Sequence, residues 1–286
     1  MNSRIRKRSF LSPGTARGLL SLALLALLVP QAACAESLHP WLDRRLSLSV
    51  GAVDFNVDAK IANWTEGEDI DYVDLGRLGV PESDTDLWAR LSARLGERWQ
   101  IGMDYFTIDV AGGRAVNFEF EFGDLVVPVG ASVDASLDVD FYVLSMSYAF
   151  YRSDRLELGG GVGVHGVDLE YDMFAEARVG SVVRELGEEN DDFLAPLPNA
   201  ALYATYAFTP RLLGQAKAGW ISLSYDEYDG DLLALHAQLA YLLTGRTSLG
   251  LGYTFFDFDV EHDRGTRREF YDLDLEGPRV FFSVVF

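Results

Sequence analysis

The 286-residue chain contains a single cysteine, Cys34, so it can build neither a disulfide framework nor a cysteine-based zinc site. Basic residues are scarce. Against 24 Lys and Arg stand 44 Asp and Glu, a formal net charge of −20. Nucleic-acid binding depends on cations that neutralise phosphates, and a balance this acidic argues against it. Long apolar runs are missing too: Leu19–Val29 falls well short of the roughly 18–20 residues a spanning helix needs, and no other segment comes close. Apolar residues still make up 49% of the chain, ample for a buried core, which excludes disorder for most of it.

Arg4, Arg6, Lys7 and Arg8 precede that apolar run, and Ala33-Cys34-Ala35 follows it as a small-x-small cleavage pattern. The arrangement predicts a secretory signal peptide over residues 1–35 and a mature domain over 36–286. Acylation of Cys34 is the competing reading, but Gln31 stands where that motif takes an aliphatic residue.

Beyond Leu42 the apolar residues alternate with period two to the end of the chain. The segments Leu46–Ala52, Leu87–Leu95, Trp99–Tyr105, Tyr142–Phe150, Leu156–Val164, Ala200–Phe208, Leu212–Trp220, Leu233–Leu243, Leu249–Phe255 and Val280–Phe286 read as strands. A soluble sandwich would also show one apolar and one polar face. The connections decide against it. Tight turns at Gly96-Glu97, Ser153-Asp154, Thr209-Pro210 and Gly245-Arg246 alternate with long segments after the first, third and fifth strands. Short turns at one end and long loops at the other predict an all-β fold, a closed antiparallel up-and-down transmembrane barrel. The expected count is about ten strands, with eight and twelve as the neighbouring even numbers.

The final strand, Val280-x-Phe282-x-Val284-x-Phe286, ends on Phe. Together with the export leader and the dyad repeats, it resembles the C-terminal assembly signal of Gram-negative outer-membrane β-barrels, over Arg45 to Phe286. Small barrels of the OmpA and OmpW kind, with eight strands, are the nearest comparison. The resemblance implies an outer-membrane location, lipid and lipopolysaccharide as surroundings, and the barrel-assembly machinery as a partner during biogenesis. It implies no particular activity.

Parity assigns Arg90, Asp104, Glu157, His165, Lys217, His236 and Gln238 to the lumen at membrane level. A barrel of this size is barely wider than one that side chains fill, and charges in so narrow a space are tolerated mainly when paired. Three readings follow: an ion-paired plug, a charged constriction that selects permeants, or a catalytic cluster. Toward the long loops the two faces exchange chemistry. Outward positions become acidic, from Asp54, Asp138 and Asp168 to Asp257, Asp259, Asp272 and Asp274, while the inward ones, Phe106, Ile108, Phe141, Leu169, Phe256, Phe258 and Leu273, are large and apolar. Strands that leave lipid for water while the barrel continues upward should do this. The apolar interior is then either a packed cap or a space for a small hydrophobic ligand.

No cofactor motif is present. Most acids fall in the outer segments, and the runs Asp257-x-Asp259-x-Glu261 and Asp272-x-Asp274-x-Glu276 are expected to face each other, with Arg264, Arg267 and Arg268 relieving part of the repulsion. Diffusely bound Ca²⁺ or Mg²⁺, bridging to lipopolysaccharide phosphates, would relieve more; the alternative is a hydrated, salt-screened surface. For catalysis, Asp191-Asp192 and His262-Asp263 resemble the Asp pair and His-Asp pair of the omptin proteases, but acids are abundant enough for such neighbours to arise by chance. The expectation is a non-enzymatic envelope barrel with a closed lumen. The alternatives are a channel or receptor for small hydrophobic molecules, and an omptin-type hydrolase.

Overall fold

The computed structural model describes residues 38–65, 72–122, 125–179, 182–225, 228–263 and 267–286. The predicted leader and its cleavage point lie outside them. Ten long strands form one ring: β1 (Leu46–Thr65), β2 (Ser83–Leu95), β3 (Trp99–Ala115), β4 (Ser132–Arg152), β5 (Leu156–Val179), β6 (Val182–Ala207), β7 (Leu212–Tyr225), β8 (Tyr228–Leu242), β9 (Thr247–Asp263) and β10 (Arg267–Val285). Each pairs antiparallel with its neighbours in chain order. β1 closes on β10 from Ser47↔Val285 to Thr65↔Arg267, so the sheet has no free edge along this seam. A side-chain bond reinforces the seam, with the Ser49 and Ser283 hydroxyls 2.6 Å apart.

A strand needs about 9–11 residues to span a bilayer, yet β5 has 24 and β6 has 26. The segment between the predicted fifth and sixth strands, expected as a loop, is ladder up to Val179↔Val182. Gly187, Glu188, Glu189, Asn190, Pro196 and Pro198 are poor strand formers and mask this in the sequence. Continuous pairing with β5 overrides them.

At the end with the tight turns, outward residues are exposed and apolar, among them Leu48, Leu91, Met103, Leu144, Leu239 and Leu251. Higher up, the hydroxyls of Tyr105 and Tyr142 donate to Asp140 at 2.8 and 3.3 Å. Above these tyrosines, outward positions carry Asp109, Asp138, Asp168, Glu170 and Asp172, while Ile108, Leu137, Val139, Val167, Leu169 and Tyr171 point into the core. Strand parity is unchanged across the boundary. Only the medium outside differs, hydrocarbon below and water above.

Phe106 and Phe141 stack at 4.4 Å, and Phe256 meets Phe141 edge-on at 5.0 Å. Ile108, Leu169, Phe258 and Leu273 are buried in the same cluster. It is completed from above by two connections. A 3₁₀ turn, Leu75–Leu78, contributes Leu75 and Leu78, and a small hairpin, Phe120–Phe122 with Leu125–Val127, contributes Phe120 and Val127. The turn has a place because the β2–β3 ladder ends at Trp88↔Phe106. Above that point the wall parts, and Gly79, held at φ 95°, packs so closely on Gly112 that a Cβ there would strike its carbonyl oxygen. The sequence pattern starts the second strand at Leu87. In fact it begins at Ser83, and Asp84 and Asp86 take the inward parity, an exception to the apolar interior. Asp84 Oδ2 accepts from the Asp109 backbone N–H across the parting, at 3.4 Å.

The register of the last hairpin sets Asp257 opposite Asp274 and Asp259 opposite Asp272. The third expected acid pair does not form, because Glu261 faces Phe270 and Glu276 faces Phe255. Asp231 and Asp58 extend the acidic rows onto β8 and β1. Cations answer part of this: Lys60 lies 3.1 Å from Asp58, and Arg268 bridges Glu261 and Asp263 at 3.3 and 3.1 Å. The side chains of Arg264 and Arg267 lie outside the described residues. Partial burial, followed by the charges of Asp272, Asp257, Asp231 and Asp274, pushes the Asp259 carboxyl up to about 7. Raised acids make stability fall as pH rises: the contribution is complete below the ordinary value of 3.8 and lost through about 7. Denaturant unfolding in micelles should therefore show a more stable barrel at pH 5 than at pH 8.5, with the difference reduced in Asp259→Asn. An Asp259→Asn barrel with the wild-type pH slope would refute the assignment.

Candidate functional site

Below the aromatic cluster the lumen is polar, in two layers. The lower is centred on Glu157, which β5 points inward just above a tight turn and which is 2% exposed. Arg94 from β2 and Arg152 from β4 each reach its Oε2 at 2.9 Å. Gln100 from β3 and the Tyr203 hydroxyl from β6 donate to Oε1 at 2.6 and 3.1 Å. Five strands thus converge on one carboxylate. A short helix, α1 (Pro40–Asp43), closes this end, packing Trp41 and Leu42 against Ala207, Leu213 and Val285. Arg152 ties it down by donating to the Leu42 carbonyl at 2.7 Å, and Arg44 donates to that of Trp41 at 2.6 Å.

The upper layer surrounds a chamber of about 40 Å³, lined by Trp88, Arg90, Asp104, His165, Asn199, Gln215, Lys217, His236, Gln238 and Arg279 and roofed by Phe106 and Phe256. Arg90 pairs with Asp104 at 3.2 Å. Arg279 donates to Gln238 at 2.8 Å and lies 3.9 Å over the Trp88 ring, while Gln238 donates to Gln215 at 3.0 Å and Gln215 to Thr205 at 3.1 Å. His236 Nδ1 lies 3.3 Å from the Thr254 hydroxyl.

No protein-family model and no curated protein sequence matches the chain. Solved structures do. The Escherichia coli outer membrane protease OmpT aligns over 84% of this chain and 97% of its own, at 8% identity and a TM-score of 0.53. The fold is that of an outer-membrane β-barrel. Weaker matches are the Pseudomonas aeruginosa outer membrane protein OprG (13% identity, 88% of this chain and 98% of that one, TM-score 0.38) and the Pseudomonas putida toluene transporter TodX (11%, 85% and 90%, 0.34).

The structure places all seven predicted lumen residues inside the barrel but divides them. Glu157 belongs to the lower layer, and Arg90, Asp104, His165, Lys217, His236 and Gln238 line the chamber. The balance of charge differs from the ion-paired plug expected of them, because Lys217 has no ion pair among the described residues. Three arginines were missed. Arg94 and Arg152 stand beside tight turns, and both side chains fold inward onto Glu157; Arg279, next to Val280, could have been found by continuing the parity of the last strand. The predicted upper lining, Phe106, Ile108, Phe141, Leu169, Phe256, Phe258 and Leu273, is buried together. Of the terminal pattern, Val280, Phe282 and Phe286 are exposed on the outer face, and Val284 is half-buried there. His262 and Asp263 point to opposite faces of β9, as neighbours in a strand must. The buried His262 lies 3.4 Å from Glu269, and Asp263 pairs with Arg268. The side chains of Asp191 and Asp192 lie outside the described residues.

Removing one partner of a buried ionic network leaves its charges uncompensated, at about 3–5 kcal/mol. Glu157→Gln, which strands Arg94 and leaves Arg152 with Asp43 alone, is expected to lose that much in urea unfolding of the micelle-bound barrel. A loss under about 1 kcal/mol would show that water, not Glu157, balances the arginines.

Proposed function

We propose that this protein is a non-enzymatic integral outer-membrane barrel with a closed lumen, serving a structural or envelope-interaction role on the bacterial surface. The observation that carries this reading is the filled interior. Aromatic rings from β3, β4 and β9 touch across the full width of the barrel, two connections pack onto them from above, and α1 covers the opposite end. In this reading residues 1–35 direct export, the barrel-assembly machinery recognises the terminal strand, and the exposed apolar belt sits in lipid. A receptor for small hydrophobic molecules would need room among Ile108, Leu169, Phe258 and Leu273, and their mutual burial favours the packed cap.

The acidic upper wall would meet lipopolysaccharide phosphates. Divalent cations are the proposed bridge. Among the described residues no three acids or histidines are grouped to hold a metal, so the ions would spread along the rows of Asp257, Asp259, Asp272 and Asp274.

Purified barrel in a planar bilayer should show no stable conductance. A defined single-channel step, or a peptidase or esterase activity lost in His262→Ala, would overturn the closed, non-catalytic reading. Millimolar Ca²⁺ at pH 8.5 is expected to raise the unfolding midpoint above that in NaCl of equal ionic strength. Equal midpoints would leave screening as the whole effect and remove the cation bridge.

A further inference from the structure

The chamber beneath the aromatic cluster holds more positive charge than its carboxylates balance. Arg90, Lys217 and Arg279 line it, and the one acid in its lining, Asp104, is engaged by Arg90. Arg279 is occupied by Gln238 and the Trp88 ring, neither of which carries a charge, and its Nε is buried without a hydrogen bond. Lys217 makes no ion pair or hydrogen bond among the described residues.

The lining also offers uncharged polar groups. His165, 4% exposed, leaves Nδ1 unpaired, and Asn199, 6% exposed, brings its side-chain amide into the same lining. The backbone makes room for the asparagine: a Cβ on Gly163 would come within 2.6 Å of its Oδ1, and one on Gly219 within 2.8 Å of its Nδ2. A larger residue at either position would displace the amide.

Charge held away from water is costly unless a counter-charge meets it, and attraction across a low-dielectric interior is strong. Water in the chamber could satisfy the amides but not the surplus charge. A cation would add to it. The volume limits the anion: about 40 Å³ accommodates a few water-sized groups, enough for a monatomic ion and too little for a sugar acid such as gluconate. We propose that this chamber is a binding site for a halide-sized anion, with Lys217 and Arg279 supplying the charge and the Asn199 amide a further donor. The proposal stands on the chamber lining alone. A conducting lumen would change how fast the anion enters, not whether it binds.

The test uses the intact barrel in micelles, transferred to sodium gluconate, whose anion is too large for the chamber. Unfolding midpoints are then followed against added chloride or bromide at constant ionic strength. A saturable rise is expected in the wild type. Lys217→Gln should weaken the apparent affinity by roughly tenfold or more, and Asp104→Asn should strengthen it. Independently, bromide-soaked wild-type crystals should show anomalous density beside Lys217 Nζ, which decides the matter if Lys217→Gln fails to fold. Identical midpoints in halide and gluconate, as an uncharged Lys217 would give, overturn the proposal. So does a chamber without bromide, or a Lys217→Gln barrel that keeps the wild-type halide dependence.

Discussion

Hydrocarbon offers a peptide group nothing to bond, so every strand inside it must be paired on both sides. The β1–β10 ladder meets that demand along seventeen register pairs and turns a sheet into a ring. Closure of ten strands sets the bore, and the bore sets what the interior can contain. A ring this narrow encloses roughly the space that side chains fill. The protein fills it with different materials at different heights.

That vertical division follows from one backbone parity meeting two media. Where the outer face is apolar, inward positions carry the polar side chains; where the outer face is acidic and wet, they carry Phe, Leu, Ile and Val. The upper half is thus built like a soluble barrel and the lower half like a membrane one, on the same ten strands. The wall gives way above Trp88↔Phe106, between β2 and β3, and again above Trp220↔Ala200, between β6 and β7; at the first parting a 3₁₀ turn supplies the missing apolar surface.

Charge is organised along the same axis. Acids crowd the upper outer wall, where water screens them. Cations gather in the lumen, where little water does. In the lower group two carboxylates answer the two arginines, Glu157 meeting both Arg94 and Arg152 and Asp43 meeting Arg152 as well. The chamber above has only Asp104 for Arg90, Lys217 and Arg279, and this imbalance sets it apart from a passive plug.

How much of this was legible beforehand depends on which force fixed each feature. Alternation in segments such as Tyr142–Phe150 is imposed by the solvent on each face, so it is written directly in the residues, and strand number, parity and the exchange of chemistry at Asp140 could be read from it. The acid-rich stretch from Gly187 to Asp192 becomes strand only because β5 is already there to pair with it, which local propensity cannot express. The same holds for Asp84 and Asp86, Arg94 and the Glu157 hub, whose partners come from strands distant in the chain. The sequence by itself determined the barrel and the face each residue takes, because side-chain period and solvent are local constraints. Only the tertiary structure decided that the apolar interior is packed, that the last hairpin opposes two acid pairs and not three, and that Lys217 lacks a counter-charge, because each depends on the register between strands.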